Sequence, residues 1–263
     1  MIRERFEACR QKAEGALIVY VTAGDPNLEA LPDILQAVDQ AGADLIEVGI
    51  PFSDPLADGP IIQAAAHRAL QAGATLQRVL QTIAARSASI SAPLIAMTYY
   101  NPPLQYGLER FAREASEAGF AGVIMTDLPP DEAGEWLSVK GDLDPIFLLA
   151  PTSSPERIEK VVQFGGGFVY CVSRTGVTGT TEKPWDEAKA LVARTRSMTD
   201  LPLAVGFGIS TPEHAAEICQ FADGAVVGSR IVELIARTND WSQVSNEVSR
   251  LKKATVKAAA PPS

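Results

Sequence analysis

Apolar, β-branched runs alternate with amphipathic runs along almost the whole chain, and that alternation leaves few folds open. Strand-like segments recur at 16–21, 44–49, 93–98, 121–126, 145–150, 168–172, 201–207 and 224–228. Helical patterns fill 28–41, 61–86, 108–117, 131–139, 155–164, 185–197 and 212–221, with a last stretch over about 229–253. Strands that alternate with helices build βαβ units and a parallel sheet. The punctuation repeats as well. Ala41-Gly42-Ala43-Asp44, Ala118-Gly119-Phe120-Ala121, Phe164-Gly165-Gly166-Gly167 and Ala222-Asp223-Gly224-Ala225 each place glycine where a helix stops before the next strand. Ser153-Ser154-Pro155-Glu156 and Ser210-Thr211-Pro212-Glu213 read as matching capping boxes, opened by Ser153 and Ser210.

Eight such units of roughly 30 residues have the size of a (β/α)8 barrel, about 250 residues. The predicted fold is therefore α/β: a (β/α)8 TIM barrel with an extra N-terminal helix, whose Ile2, Phe6, Cys9 and Ala13 share one face before Gly15. One barrel domain is expected over 1–254, followed by a disordered tail over 255–263. A doubly wound open sheet is the alternative, but no Gly-x-Gly-x-x-Gly follows the first strand.

Composition removes several classes of function. Formal net charge is −9 and lysine and arginine do not cluster, which argues against nucleic acid and anionic membrane as partners. The cysteines, Cys9, Cys171 and Cys219, are distant from one another and odd in number, so they read as buried reduced thiols. No apolar run reaches membrane-spanning length and the amino terminus lacks a signal core. A soluble, cytoplasmic protein is expected.

In a barrel of this kind the chemistry sits at the C-terminal ends of the strands. The richest such end runs from Glu47 through Pro51, Asp54 and Pro55 to Asp58 and Pro60. Glu47 lies inside an apolar strand, where an ionised carboxylate is costly unless paired or hydrogen-bonded. Asp58 lies at the far end of a stiff loop that stops at a helix start, with Pro60 suited to the first helical position. Asp54 and Asp58 could also simply cap turns. Paired carboxylates serve acid–base chemistry. Glycines gathered after strands 6, 7 and 8, around Gly179, Gly208 and Gly228, expose backbone N–H groups near Ser229 and a helix start, which makes a phosphate cradle. The two histidines, His67 and His214, fall within helices rather than at strand ends, and no lysine is embedded in a strand. Metal clusters, Ser/His or Cys/His pairs and Schiff bases therefore lack material. Tyr20, Tyr99, Tyr170 and Phe207 are available to wall an apolar pocket or to fill the barrel.

The run Glu47-Val48-Gly49-Ile50-Pro51-Phe52-Ser53-Asp54-Pro55-Leu56-Ala57-Asp58-Gly59-Pro60 resembles the α subunit of tryptophan synthase. So do Ser173-Arg174-Thr175-Gly176-Val177-Thr178-Gly179 and Gly206-Phe207-Gly208-Ile209-Ser210, and the resemblance extends over about residues 1 to 250. It implies a (β/α)8 lyase that cleaves indole-3-glycerol phosphate to indole and glyceraldehyde 3-phosphate. It also implies an α2β2 complex in which indole passes to a pyridoxal-phosphate β subunit, with no cofactor or metal in this chain. Carried over by position, Glu47 and Asp58 are the catalytic pair. Gly179, Phe207, Gly208, Gly228 and Ser229 are the phosphate end, and Tyr20, Ile62, Met97, Tyr99, Asp127 and Tyr170 the pocket wall. Residues 173–184 are a mobile lid in which Thr178 meets Asp58, and Asp54, Asn101 and Pro102 contact the β subunit. Two places depart from the family pattern: Arg230 stands where a small residue is usual, and Tyr100-Asn101-Pro102-Pro103 is variable. A sugar-phosphate isomerase, a stand-alone indole-releasing lyase and an inactive activating subunit are the competing readings.

Overall fold

The computed structural model describes residues 1–173 and 185–257. Helix α1 (Ile2–Gln11) precedes strand β1 (Ala16–Thr22), and β2 (Leu45–Gly49), β3 (Leu94–Thr98) and β4 (Phe120–Met125) follow. The chain continues through β5 (Asp144–Ile146), β6 (Leu148–Leu149), β7 (Val169–Val172), β8 (Leu203–Gly206) and β9 (Gly224–Val227). Every strand pairing is parallel, in the order β5-β4-β3-β2-β1-β9-β8-β7-β6. The two ends of that order, β5 and β6, are adjacent in the chain. The run expected as one strand over 145–150 is thus broken at Phe147: β5 pairs with β4, β6 with β7, and the broken strand brings the two edges of the sheet together. The expected barrel is present, with its fifth strand in two pieces. No helix among the described residues is long and apolar enough to cross a membrane.

Side chains alternate along each strand, and the alternation sorts the core into two layers. Leu17, Val19, Ile46, Val48, Ala96 and Val205 face the helices, while Ile18, Tyr20, Leu45, Ile95, Met97, Ile124 and Tyr170 fill the barrel. Glu47, between Ile46 and Val48, therefore points inward in register with Tyr20 and Ile95. Ile2 and Phe6 of α1 join this inner layer at the other end, where Phe6 packs on Phe168 with ring centroids 5.6 Å apart. That end is closed, and the mouth opens at the C-terminal strand ends.

Several boundaries differ from expectation. The long helix over 61–86 is two: α2 (Leu31–Gln40) is followed by α3 (Pro60–Gln71) and α4 (Leu76–Ala84), separated at Gly73, with Thr75 capping α4. A short α5 (Asn101–Tyr106) precedes α6 (Leu108–Glu117), and α7 (Gly134–Val139) precedes α8 (Pro155–Phe164). After α9 (Asp186–Arg196) and α10 (Pro212–Cys219), the final helical stretch divides into α11 (Ser229–Arg237) and α12 (Trp241–Ala254), capped by Asp240. The caps of α8 and α10 are Ser154 and Thr211, one residue later than expected, because proline takes the first helical position in each. All three cysteines are buried and free. Order also extends beyond Ala254. Gly15 donates to the Thr255 carbonyl at 2.8 Å and Lys257 to that of Ala13 at 2.8 Å, so the tail expected from Thr255 is held through Lys257. Residues 258–263 lie outside the described residues.

Candidate active site

Glu47 is fully buried, and neither carboxylate oxygen has a hydrogen-bond partner among the described residues. With nothing to solvate the anion, burial pushes its pKa from 4.5 up to about 8. Asp58 is carried by the loop between β2 and α3. Burial raises its pKa as well, to about 6, and a hydrogen bond from the Tyr99 hydroxyl at 3.1 Å holds the rise in check. Tyr99 stands directly after β3, and its oxygen also accepts the N–H of Ala57 at 2.9 Å. The loop is fastened from the other side by Gln63, whose side-chain amide donates to the carbonyls of Asp58 at 2.9 Å and Pro55 at 3.3 Å. Further along α3, Arg68 forms a two-pronged ion pair with buried Asp25 after β1, at 2.9 and 2.7 Å.

Two tyrosines lie within electrostatic reach of both carboxylates. Burial and the negative charges of both Glu47 and Asp58 drive the phenols of Tyr20 and Tyr170 well above their usual range. Each ring crosses a neighbouring strand where only glycine fits. A Cβ on Gly49 would lie 2.0 Å from the Tyr20 hydroxyl, and one on Gly206 would lie 2.0 Å from that of Tyr170. Tyr170 packs edge-on against Phe207, centroids 6.0 Å apart. Met97 and Ile62 complete the apolar lining next to this group.

Phe207 and Gly208 leave β8 with φ of 72° and 78°, a left-handed turn that is unusual for a phenylalanine. Gly208 is exposed and open: a Cβ there would meet nothing within 4 Å. Gly228 is the N-cap of α11 and Ser229 its first residue, so unpaired helix N–H groups face outward at this end. Arg230 turns away toward α12, where its guanidinium donates to buried Glu247 at 2.9 Å.

The other expected site residues lie at the surface or outside the described residues. Asp127, expected in the wall, is exposed, and its carboxylate accepts the N–H of Tyr100 at 2.6 Å, at the start of α5. Asp54 and Asn101 are exposed, Pro102 is half-buried, and nearby Leu56 is 92% exposed. Of the lid expected over 173–184, Ser173 is described and buried, while residues 174–184, Thr178 and Gly179 among them, lie outside the described residues. Sequence reasoning places Asp25 at the working face, after the first strand, without a role, and misses Gln63 and Arg68. A lone glutamine and an arginine in an alanine-rich helix are visible in the sequence, but the partners they reach are not.

A parallel barrel with a buried, inward carboxylate that no described residue pairs defines a (β/α)8-barrel enzyme. Comparison with known proteins makes the class specific. The family model described as "Tryptophan synthase alpha chain" matches residues 6–261. The chain is 43% identical to the tryptophan synthase alpha chain of Geobacter sp. (strain M21), over 98% of both chains. It is 47% identical to that of Methanosarcina mazei, over 95% of this chain and 92% of the other. Among solved structures, tryptophan synthase from M. tuberculosis superposes with a TM-score of 0.89 at 36% identity, covering 98% and 99% of the two chains. Tryptophan synthase subunit alpha from Legionella pneumophila gives 0.87 at 37%, covering 97% of each. The chain belongs to the tryptophan synthase alpha chain family.

Proposed function

We propose that Glu47 and Asp58 together carry the carbon–carbon cleavage that makes this chain a lyase. Its reaction splits indole-3-glycerol phosphate into indole and glyceraldehyde 3-phosphate, and the indole passes to a β subunit, which holds the pyridoxal phosphate of the assembly. Breaking the bond between indole C3 and the glycerol chain requires a proton on C3. It also requires an acceptor for the proton of the adjacent glycerol hydroxyl, and an anion facing the ring nitrogen while positive charge develops there.

Glu47, kept neutral below about pH 8 by burial, supplies the proton to C3. As the bond breaks, its electrons return to the ring, the hydroxyl becomes a carbonyl, and the proton released goes back to the Glu47 carboxylate. The group ends the cycle as it began. Asp58, with its lower pKa of about 6, is ionised at neutral pH and accepts the indole N–H, which becomes more acidic in the transition state. Two carboxylates whose environments set their pKa values apart divide into an acid and an anion in this way. The observation that carries this reading is the pair of unpartnered, buried Glu47 oxygens.

In the same reading the N–H groups at Gly208, Gly228 and Ser229 receive the phosphate, while Tyr20, Met97, Tyr99, Tyr170, Ile62 and Phe207 wall the indole. Asp54, Asn101 and Pro102, flanking exposed Leu56, form the face toward the β subunit. Chemistry by these side chains needs no cofactor in this chain. The test is to incubate the isolated chain with indole-3-glycerol phosphate and measure indole, with Glu47→Gln alongside. The substitution keeps shape and removes the transferable proton, so a loss of about three or more decades in rate is expected. Retention of more than about a tenth of the rate would remove Glu47 from this role.

A further inference from the structure

The geometry points to Ser173 as a positioning residue for the phosphate end of the pocket, acting through the peptide bond between Phe207 and Gly208. This inference rests on the reading of Gly208, Gly228 and Ser229 as that end. Ser173 stands one residue past β7 and is 1% exposed. Its N–H donates to the Gly206 carbonyl at 2.9 Å, and its hydroxyl donates to the Phe207 carbonyl at 2.5 Å. Two successive carbonyls at the exit of β8 are therefore held by one serine.

A trans peptide is planar, and its C=O and N–H point in opposite directions. Fixing the Phe207 carbonyl toward Ser173 fixes the Gly208 N–H away from it. Among the described residues no backbone carbonyl accepts that N–H, and the space beside Gly208 is open. The donor is thus aimed at a place where no described residue accepts it. The arrangement needs the tether. Phe207 holds a φ of 72°, which an L residue adopts only at a cost, and glycine at 208 gives the peptide freedom to rotate. Without the serine hydroxyl, the Phe207 carbonyl is left unpaired and the peptide is free to turn, carrying the Gly208 N–H out of line. Nothing in this role touches the reacting atoms, so the chemical step itself is unaffected.

Ser173→Ala is the test, with the fold checked by thermal unfolding. Measured are the KM for indole-3-glycerol phosphate, kcat, and the dissociation constants of glyceraldehyde 3-phosphate and indole. The expected result is a KM and a glyceraldehyde 3-phosphate Kd each raised about tenfold, the worth of one misaligned hydrogen bond to an anion. Indole affinity and kcat should stay within about twofold, and Ser173→Thr, which keeps a hydroxyl, should recover most of the phosphate affinity. A merely structural serine would lower the melting temperature and leave this split absent. Unchanged glyceraldehyde 3-phosphate affinity, or an equal loss for indole, overturns the inference. Ser229→Asp separates it from the reading beneath it, because a carboxylate there repels a phosphate dianion. If Ser229→Asp weakens glyceraldehyde 3-phosphate and Ser173→Ala does not, the tether alone is wrong. If neither does, the phosphate end lies elsewhere and the inference falls with it.

Discussion

Asp44 and Glu47 sit three residues apart and are both buried carboxylates, Asp44 just before β2 and Glu47 at its centre, pointing into the barrel. Asp44, just before the strand, accepts the Leu17 N–H at 2.8 Å and pairs with Lys252 of α12 at 2.8 Å. Lys252 in turn meets Glu14 at 2.8 Å. Around the barrel, Asp223 before β9 plays the same part, accepting from Leu203 and from Arg196. Further along the strand, Glu47 has no hydrogen-bond partner among the described residues. The N-terminal ends of the strands thus satisfy every charge named here and hold helices against the sheet. Toward the mouth, Glu47 stays without a partner among the described residues, as the proposed acid–base role requires. The Asp44 and Asp223 carboxylates serve stability, as does Asp25 with Arg68 beside the mouth, and Glu47 stands apart from all three.

The largest effects should come from the unsatisfied end. Beyond its loss of rate, Glu47→Gln should change how stability depends on pH. Folding raises the pKa of Glu47 from 4.5 to about 8, so its neutral form is the one the native state favours. Wild-type stability from this group is complete below pH 4.5 and is lost as pH rises toward 8. Glutamine does not titrate. The stability of the variant relative to wild type should therefore climb by a few kcal/mol between pH 4.5 and 8, measured by denaturant unfolding. A flat difference across that range would mean that Glu47 is solvated in solution.

Next in size is Asp58→Asn, expected to cost about two decades in kcat/KM through loss of the anion opposite the indole nitrogen. Wild type should show a bell-shaped profile, rising through about pH 6 as Asp58 ionises and falling above about pH 8 as Glu47 loses its proton. The variant should lose the rising limb only. Should both limbs vanish together, the two carboxylates titrate as a unit and the division of roles fails.

At the satisfied end the order of effects reverses. Lys252→Met leaves Asp44 and Glu14 without their cation and should lower stability by about 2 to 3 kcal/mol. The rate per folded molecule should stay within about twofold, because the network lies across the barrel from the site. A matching loss of kcat in the folded variant would show that the two ends are coupled, and the contrast between them would break.

The sequence disclosed these ends unequally. Strand positions, the inward Glu47 and the stiff loop to Asp58 follow from alternation and from proline and glycine, which are local. The break at Phe147 was hidden because a continuous apolar run has no period to interrupt. The break at Gly73 had a visible glycine, but the apolar periodicity resumes beyond it. Asp127 sits at a strand end, and its bond from the Tyr100 N–H is not visible in the sequence. Asp25 with Arg68, and Ser173 with Phe207, meet across 43 and 34 residues. Contacts of that kind are tertiary, and no pattern within either segment names the partner.

The smallest expected effect sharpens the contrast most closely, because it concerns a single partner at the active end. Among the described residues, Tyr99 alone gives Asp58 a side-chain hydrogen bond that opposes its desolvation. Tyr99→Phe removes that bond and the contact with the Ala57 N–H, while keeping the ring against Phe52, whose centroid lies 5.3 Å away. The Asp58 pKa should then rise further above about 6, since burial acts unopposed. An anion needed for catalysis would form only at higher pH, so the acid limb of the kcat/KM profile should move up by about one pH unit. At pH 8, where Asp58 is ionised in both proteins, the rate should fall only about threefold, reflecting a less firmly held loop. A partner-free carboxylate like Glu47 and a singly tethered one like Asp58 would then form a graded series with fully satisfied Asp44. An acid limb that stays in place, or moves down, would show that Tyr99 does not set the charge of Asp58, and the series would lose its middle member.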